Sequence, residues 1–493
     1  VHTGANAPIR TRHGGSRMSV HAGSSNVDEK IPDTNYASSG PVLTVLGLCG
    51  IVVALMQTLV VPIIPQLPHL LNSTPADTSW AVTATLLAAA VITPISGRLG
   101  DMFGKKRMLL VSLAMVVLGS AICAIAPSLI VLVVGRALQG ASVGAIPLGI
   151  AIIRDVLPPK KVAGAMAVMS ATLGVGGAIG LPIAAVIAQN ANWHFLFVTS
   201  AVFGLICIAL VAFVIPESTV RRPGRFDFVG ALGLTVGLIT LLLPITKGGT
   251  WGWSDAKTLG LLAVSALSFL MWGWWELRRN APLVDLRVSA RPQVLFTNFA
   301  SIAVGFAMYG NSLTLPQLLM APTSTGYGLG LSMVAAGLAL APGGLVMMAL
   351  SPVSARISAW RGPRITLMLG ALVIGLGYAF AYFTVSSVWQ VAVAGMFIGA
   401  GVGLSYSAMP ALIMGAVPIT ESAAANGLNS LMRSIGTSTS AAIVSVVLAG
   451  MTITVGTAVI PSFEAFRATF LISIAAAVVT MVFAGLIPKQ KVS

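Results

Sequence analysis

The chain has 493 residues, of which 56% are hydrophobic and only 8% are charged, and its formal net charge is +15. Soluble domains carry about a quarter charged residues, so this composition excludes an ordinary water-soluble protein. Apolar runs long enough to cross a hydrocarbon core of about 30 Å recur along the chain, whereas the alternating pattern of a membrane β-barrel is missing. We therefore predict an all-α polytopic membrane protein.

A polar stretch at residues 1–40 opens the chain. We expect a disordered cytoplasmic tail there, because no apolar segment of a signal peptide follows its early arginines. The first residue is Val1, and Met18 is an alternative start. Fourteen apolar segments follow, at approximately 42–66, 78–97, 108–126, 128–153, 162–189, 193–216, 228–246, 257–277, 295–320, 329–355, 364–384, 387–410, 421–452 and 466–487.

Positive charge is concentrated in alternate connections between these segments. With the tail in the cytoplasm, most of the 28 Lys and Arg residues fall on inside segments, and only Lys247, Lys257 and Arg467 fall on outside ones. This bias predicts an even number of spans in the cell membrane, with both termini cytoplasmic. It also accounts for the net charge without a nucleic-acid partner, since such residues orient helices and contact anionic lipid head groups.

One stretch of the chain occurs twice. Residues 93–106 read TPISGRLGDMFGKK, and residues 351–364 read SPVSARISAWRGPR. The matched pairs are Pro94 and Pro352, Ser96 and Ser354, Arg98 and Arg356, Gly104 and Gly362, and Lys106 and Arg364. Asp101 has no acidic counterpart, because Ala359 stands at its position. Two halves that repeat in this way are typical of secondary transporters.

These motifs resemble those of a known family. GRLGDMFGKKR, from Gly97 to Arg107, resembles the signature between the second and third helices of the major facilitator superfamily, and RALQG, from Arg136 to Gly140, resembles its fourth-helix motif. Fourteen spans, with FDFVG at 226–230 and PLVDL at 282–286, are similar to its drug:proton antiporter group. Over roughly residues 42–487, the resemblance implies two pseudo-symmetric six-helix bundles, at 41–217 and 295–493. Two linker helices and a cytoplasmic loop would occupy 218–294.

The resemblance also implies a gating latch. Its residues would be Gly97, Arg98, Asp101, Gly104, Lys105 and Arg107. In this interpretation Asp101 pairs across the interface between the halves in the outward-facing state, since a carboxylate accepts strong charge-assisted bonds and favours helix N-termini. The alternative is that the charged cluster only enforces the topology.

A second candidate site lies within the membrane. Arg136 falls inside an apolar run, where a charge is costly and usually functional, although it could instead snorkel from near one helix end. We group it with Gln139, Gln57 and Met56 in a coupling or substrate cavity. The resembled antiporters usually carry an Asp in helix 1, but Met56 occupies that position in LMQTLVVPIIP. Proton coupling would then need another carrier.

The fifth segment contains GVGGAIGLP, which resembles an altered form of the exporters' Gly-Pro motif. Gly176 and Gly180 are four residues apart and allow close helix contact, and Pro182 permits a kink. The resemblance implies export rather than import, and close packing alone is the alternative interpretation.

Together these features predict a secondary active exporter of amphipathic drugs or antibiotics that works by alternating access, with proton antiport, as a monomer. The alternatives are a dedicated exporter of an endogenous metabolite, with self-resistance as the consequence, and a facilitator without proton coupling. We expect no enzyme activity, cofactor, metal or ATP site, since the chain has no P-loop and no metal-ligand or nucleophile cluster. A cavity without fixed acids would favour neutral or weakly anionic substrates.

Overall fold

The structure is a computed structural model that describes residues 38–60, 63–64, 66–222, 224–455 and 458–488. The predicted tail therefore lies outside the described residues as far as residue 37, as do Lys489 and Lys491. Within the described part, fourteen helices are long and apolar enough to cross a membrane. This confirms the predicted number of spans.

Six spanning helices form the first half. They are α1 (Ser39–Thr58), α2 (Trp80–Phe103), α3 (Lys105–Ala124), α4 (Leu129–Val156), α5 (Pro159–Asn190) and α6 (His194–Val214). Helix α4 includes a 3-10 turn at Ser142–Gly144. Two short helices, Leu67–Leu70 and Pro75–Thr78, lie between α1 and α2.

Two linker helices, α7 (Phe228–Trp251) and α8 (Ala256–Arg278), and a short helix at Leu286–Ser289 lead to the second half. The remaining spans are α9 (Pro292–Met320), α10 (Met333–Arg361), α11 (Pro363–Thr384), α12 (Val388–Met414), α13 (Ser422–Gly450) and α14 (Phe463–Leu486). Further 3-10 turns occur at Thr323–Thr325 and Ile419–Glu421.

Local signals explain several helix starts. The side chains of Asp227, Asp255, Ser332 and Ser462 accept hydrogen bonds from backbone N–H groups in the first turns of α7, α8, α10 and α14, as N-cap residues do. Helix α9 begins at Pro292, three residues before the boundary predicted at 295. The correction has a physical reason, since proline is well suited to the first helical position.

The apolar core is divided between the halves. One buried cluster is built from α9 to α14, and another from α1 and α3 to α6 with Met414 and Ala423 added from the second half. A smaller cluster joins the linker helix α7 to Val91 of α2 and Leu431 of α13. The fold is thus two six-helix bundles, and this agrees with the predicted fold class. The linker helix α7 packs on both bundles.

A β-hairpin was not predicted. Strand β1 (Thr452–Val455) pairs antiparallel with β2 (Ala458–Pro461), with Thr452 opposite Pro461. The thirteenth span therefore ends at Gly450 and not at residue 452. β-branched residues dominate TITV, and their strand propensity was the signal that could have located it.

Candidate gate and transport cavity

The motif from Gly97 to Arg107 lies on two consecutive helix ends. Helix α2 continues to Phe103, and α3 starts at Lys105, so a single residue, Gly104, separates them. Gly104 has φ 114°, a conformation that residues with a Cβ rarely adopt. We call the end of the bundle at this junction the motif end, and the opposite end the far end.

Asp101 joins the two halves at the motif end. Its side chain is 0% exposed, and its carboxylate oxygens accept hydrogen bonds from the backbone N–H groups of Ala423, at 3.2 Å, and Ala424, at 2.8 Å. These N–H groups belong to the first turn of α13, which carries the positive end of the helix dipole. The carboxylate therefore acts as a cap that comes from the opposite half of the molecule.

Lys105 extends this contact into a buried network. Its Nζ lies 2.5 Å from Asp155 Oδ2 and 3.6 Å from Asp101 Oδ1. The same Nζ donates to Ser422 Oγ of the second half at 3.1 Å, while Ser218 Oγ donates to Asp155. Lys105 thus lies between two buried acids and contributes its own bond across the interface.

Gly97 makes the close approach of α2 and α13 possible. A Cβ at this position would lie 2.4 Å from the backbone oxygen of Ala423, far inside normal contact. Gly427 on the facing side of α13 is restricted in the same way, since its Cβ would lie 2.9 Å from the Thr93 oxygen. The two glycines bring the helices near enough for the Asp101 bonds to form.

The other predicted latch residues have different surroundings. Arg98 is buried, with its Nη2 3.8 Å from where a Cβ of Gly224 would lie. Gly104 abuts the Glu217 carboxylate. Arg107 is 68% exposed, and its Nε lies 3.9 Å from Glu217 Oε2. Arg107 therefore does not reach the second half, because Glu217 follows α6 of its own half.

Two further contacts with the second half were missed from the sequence, one from the loop that follows α6 and one from α4. Arg222 forms an ion pair of 2.5 Å with Glu421, and Arg154 Nη2 donates to the Val417 oxygen at 3.3 Å. Charged residues are rare in this chain, so Glu421 just before a long apolar segment was the available signal. Its partner could not be inferred without the packing of the halves.

A cavity of about 280 Å³ lies between the halves. It is lined by the far-end portions of the first half, including Ala54, Gln57, Thr85 and Arg136, and of the second half, including Tyr309, Asn311, Gly337 and Gly395. The lining is mainly apolar, and it includes no Asp or Glu among the described residues. The cavity and the Asp101 contact thus occupy opposite ends of the interface.

Arg136 is held firmly at the edge of this cavity. It is 1% exposed, its Nε donates to the Ala81 oxygen at 3.1 Å, and its Nη1 donates to the Met56 oxygen at 3.1 Å and to Gln139 Oε1 at 2.7 Å. These bonds tie α4 to α1 and α2. Arg136 is therefore an interior residue rather than one that snorkels to the surface.

The residues of the predicted coupling or cavity group fall into two pairs. Gln57 and Arg136 line the cavity, but Met56 and Gln139 do not. The Met56 side chain is fully buried, and its sulfur accepts from Ser142 Oγ, while Gln139 Nε2 donates to Ser120 Oγ at 2.7 Å. Both residues instead accept hydrogen bonds from Arg136, through the Met56 oxygen and Gln139 Oε1. Their side chains lie on faces of α1 and α4 that do not line the cavity.

The fifth-helix glycines face α1. A Cβ on Gly176 would lie 2.5 Å from Ala54 Cβ, and a Cβ on Gly180 would lie 2.1 Å from Thr58 Oγ1. Pro182 contacts the other half instead, 3.3 Å from where a Cβ of Gly337 would lie. The glycines thus serve close packing within one half, and Pro182 lies at the interface.

Two repeated bundles with a cavity between them define the class of secondary transporters. The family model of the Major Facilitator Superfamily matches residues 46–441 and, in a second overlapping match, residues 299–492. The chain belongs to the Major Facilitator Superfamily, and with fourteen apolar helices it is a multi-pass membrane protein.

Relatives and a solved structure show how far the likeness extends. The chain is 31% identical over 305 residues to an uncharacterized MFS-type transporter of Mycobacterium tuberculosis, a match that covers 61% of this chain but only 43% of that relative. It is 28% identical over 374 residues to multidrug resistance protein 3 of Bacillus subtilis, covering 73% of this chain and 70% of the relative. The crystal structure of the human organic anion transporter MFSD10 covers 90% of this chain and 99% of its own, with TM-score 0.64. At 15% identity, that likeness shows the fold alone.

Proposed function

We propose that the protein is a secondary active exporter of amphipathic drugs or antibiotics, seen here in its outward-facing state. The observation that carries this proposal is the bonding of Asp101 to the first turn of α13, which joins the halves at the motif end while the cavity lies toward the far end. The distribution of Lys and Arg supports a cytoplasmic motif end. The cavity then faces the outside of the cell membrane.

Alternating access follows from this arrangement. When the contacts of Asp101, Lys105 and Arg222 break together, α2 and α13 separate at the motif end and expose the interface to the cytoplasm. Closure of the cavity at the far end would complete the exchange. In this scheme α1 begins and α14 ends at the motif end, which is cytoplasmic, and the protein works as a monomer whose two halves supply both walls of the cavity.

Drug export is supported by the relatives and by the cavity. Multidrug resistance protein 3 of Bacillus subtilis carries that activity in its name, and an apolar lining with a few polar groups suits amphipathic ligands. A dedicated exporter of one endogenous metabolite would use the same geometry. A biosynthetic gene cluster beside the gene would favour that alternative.

Proton antiport is part of the proposal, and Asp101 is the acid best placed for it. Protonation would remove the negative charge that holds the α13 N–H groups and Lys105, and so would favour opening at the motif end. A facilitator without proton coupling is the second candidate, favoured by a cavity lining without Asp or Glu among the described residues and by Met56 at the helix-1 position.

Transport into energised inside-out vesicles tests these functions. A panel of antibiotics and dyes is offered with and without a protonophore. We expect accumulation of amphipathic compounds that collapses with the protonophore. Accumulation unaffected by the protonophore would replace antiport with facilitation, and no transport by well-inserted protein of any compound in the panel would contradict the proposal.

A further inference from the structure

Two arginines lie in the interior of the described spans without an acidic partner among the described residues. Arg136 is in α4, and Arg433 is near the middle of α13. The ion pairs among the described residues involve Lys105, Arg107, Arg222 and Arg467, and no described carboxylate lies within 4.0 Å of Arg136 or Arg433. A cation buried without a counter-charge is expensive, so the position of each arginine needs an explanation.

Arg433 is satisfied by neutral groups and packs away from the cavity. Its Nη1 donates to Asn429 Oδ1 at 2.8 Å, its Nη2 donates to Ser430 Oγ at 2.7 Å, and its guanidinium lies 5.1 Å from the Tyr406 ring centroid. It is not among the residues that line the cavity. Arg433 therefore has a structural role and provides an internal reference for the other arginine.

Arg136 differs because part of its guanidinium remains available. The Nε and Nη1 atoms use the Ala81, Met56 and Gln139 oxygens, whereas Nη2 makes no hydrogen bond to any described residue. Arg136 also lines the cavity. Three bonds thus fix the direction of the side chain, and the remaining donor stays free for a group that enters the cavity.

The opposite wall of the cavity offers further donors. Tyr309 of α9 lines the same cavity as Arg136, although it belongs to the other half. Asn311 and Ser312 follow it along the same wall. A positive charge and a phenol therefore share a cavity that has no described acid in its lining.

We propose that the exported compounds are amphipathic organic anions whose acidic group, a carboxylate or sulfonate, binds between Arg136 and Tyr309. This inference rests on the proposed function and specifies its substrate class. In a cavity of low dielectric, a guanidinium binds an anion strongly and repels a cation, and the apolar remainder of the lining receives the hydrophobic part of the ligand. The anion supplies the counter-charge that Arg136 otherwise lacks.

The test compares a fluorescent aromatic carboxylate with its methyl ester, which keeps the shape and removes the charge. Binding to the purified full-length protein is measured by fluorescence polarisation. We expect the carboxylate to bind at least tenfold more tightly than the ester. Tyr309→Phe, which removes one hydroxyl, should reduce that preference about threefold to tenfold, and Arg136→Gln should abolish it.

Arg433→Gln is the matched control, since it removes an equally charged interior side chain outside the cavity. We expect it to keep the wild-type preference. Because Arg136 ties three helices together, Arg136→Gln could fail to fold, and Tyr309→Phe and Arg136→Lys then carry the test. Arg136→Lys should keep a reduced preference for the acid.

Three results would overturn the inference. The first is equal binding of acid and ester by the wild type, and the second is an equal loss of preference in Arg433→Gln and Arg136→Gln. The third is displacement of the acid by chloride at equal concentration, which would indicate a site for inorganic anions. The vesicle assay separates the two proposals. Strong transport of dications would contradict the anion inference but would agree with the proposed export function. Acid-selective binding without any transport would support the anion site but would contradict the proposed export function.

Discussion

The two copies of the repeated stretch, at 93–106 and 351–364, share a structural role. Gly104 and Gly362 both have positive φ, at 114° and 87°, and both separate consecutive spans by one residue. Lys106 Nζ donates to the Ala212 oxygen near the end of α6, and Arg364 donates to the Ala484 and Gly485 oxygens near the end of α14. Each copy thus turns the chain and caps the last helix of its own half.

The copies differ in what covers them. Asp101 and Arg98 of the first copy are buried, the former under α13, whereas Ala359 and Arg356 at the matching positions are exposed. Gly97, which lets the Ala423 backbone approach, is matched by Ala355. The turn and the cap are therefore common to both halves, whereas the carboxylate bond to the opposite half, made by Asp101, belongs to the first copy. Five substitutions test this division of roles.

Gly97→Val should have the largest effect. The added side chain would meet the backbone oxygen of Ala423, which cannot move aside independently of α13, so closure at the motif end should fail. Overpacking of this kind costs about 1–3 kcal/mol, and we expect transport to fall by roughly 10- to 100-fold. Vesicle transport measures the loss, and maleimide labelling of a Ser422→Cys reporter measures the opening. The control is Ala355→Val, for which wild-type transport is expected; an equal loss there would show that both copies gate.

Asp101→Asn should cause the second-largest loss of transport. The amide oxygen still accepts one N–H bond from α13, but the charge that strengthens both bonds and pairs with Lys105 is gone. A loss of about 1–1.5 kcal/mol corresponds to roughly a 5- to 10-fold decrease in transport at normal insertion. Ala359→Asn places the same side chain in the second copy, where no effect is expected. Wild-type transport by Asp101→Asn would reduce the charged cluster to a topology signal.

Much of this arrangement could be predicted from the sequence, and particular residues show where prediction ends. The fourteen spans follow from hydrophobicity, and the repeat follows from matched residues such as Gly104 and Gly362. The partners of Asp101 do not, because backbone N–H groups at Ala423 and Ala424 leave no signature in the sequence. Met56 was grouped with the cavity because it occupies the position of the helix-1 acid, and Gln139 because it belongs to the fourth-helix motif. Only packed helices fix which face of α1 and α4 is turned inward.

Removal of the two helix caps should lower the stability of the protein but should not abolish transport. Arg364→Ala loses two partly buried bonds to helix C-terminal carbonyls, at 3.2 and 2.6 Å, and Lys106→Ala loses one exposed bond at 2.9 Å. We expect destabilisation of about 1–2 kcal/mol and about 0.5 kcal/mol respectively. Thermal unfolding in detergent measures both values. If Lys106→Ala abolished transport at unchanged stability, the first copy would gate through its basic residues as well as through Asp101.

The smallest effect should come from Arg107→Ala, although the motif places Arg107 within the latch. Its side chain is largely exposed, and its ion pair with Glu217 at 3.9 Å stays within one half, so the pair should contribute no more than about 0.5 kcal/mol. Ile365 occupies the matching position in the second copy, which turns and caps without a charge there. Lys105 and Lys106 remain to orient α2 and α3, and we therefore expect normal membrane insertion and transport within about twofold of wild type. A tenfold loss in the vesicle assay at normal expression would place Arg107 in the gate, and the exposed face of the first copy would then take part in closure together with its buried face.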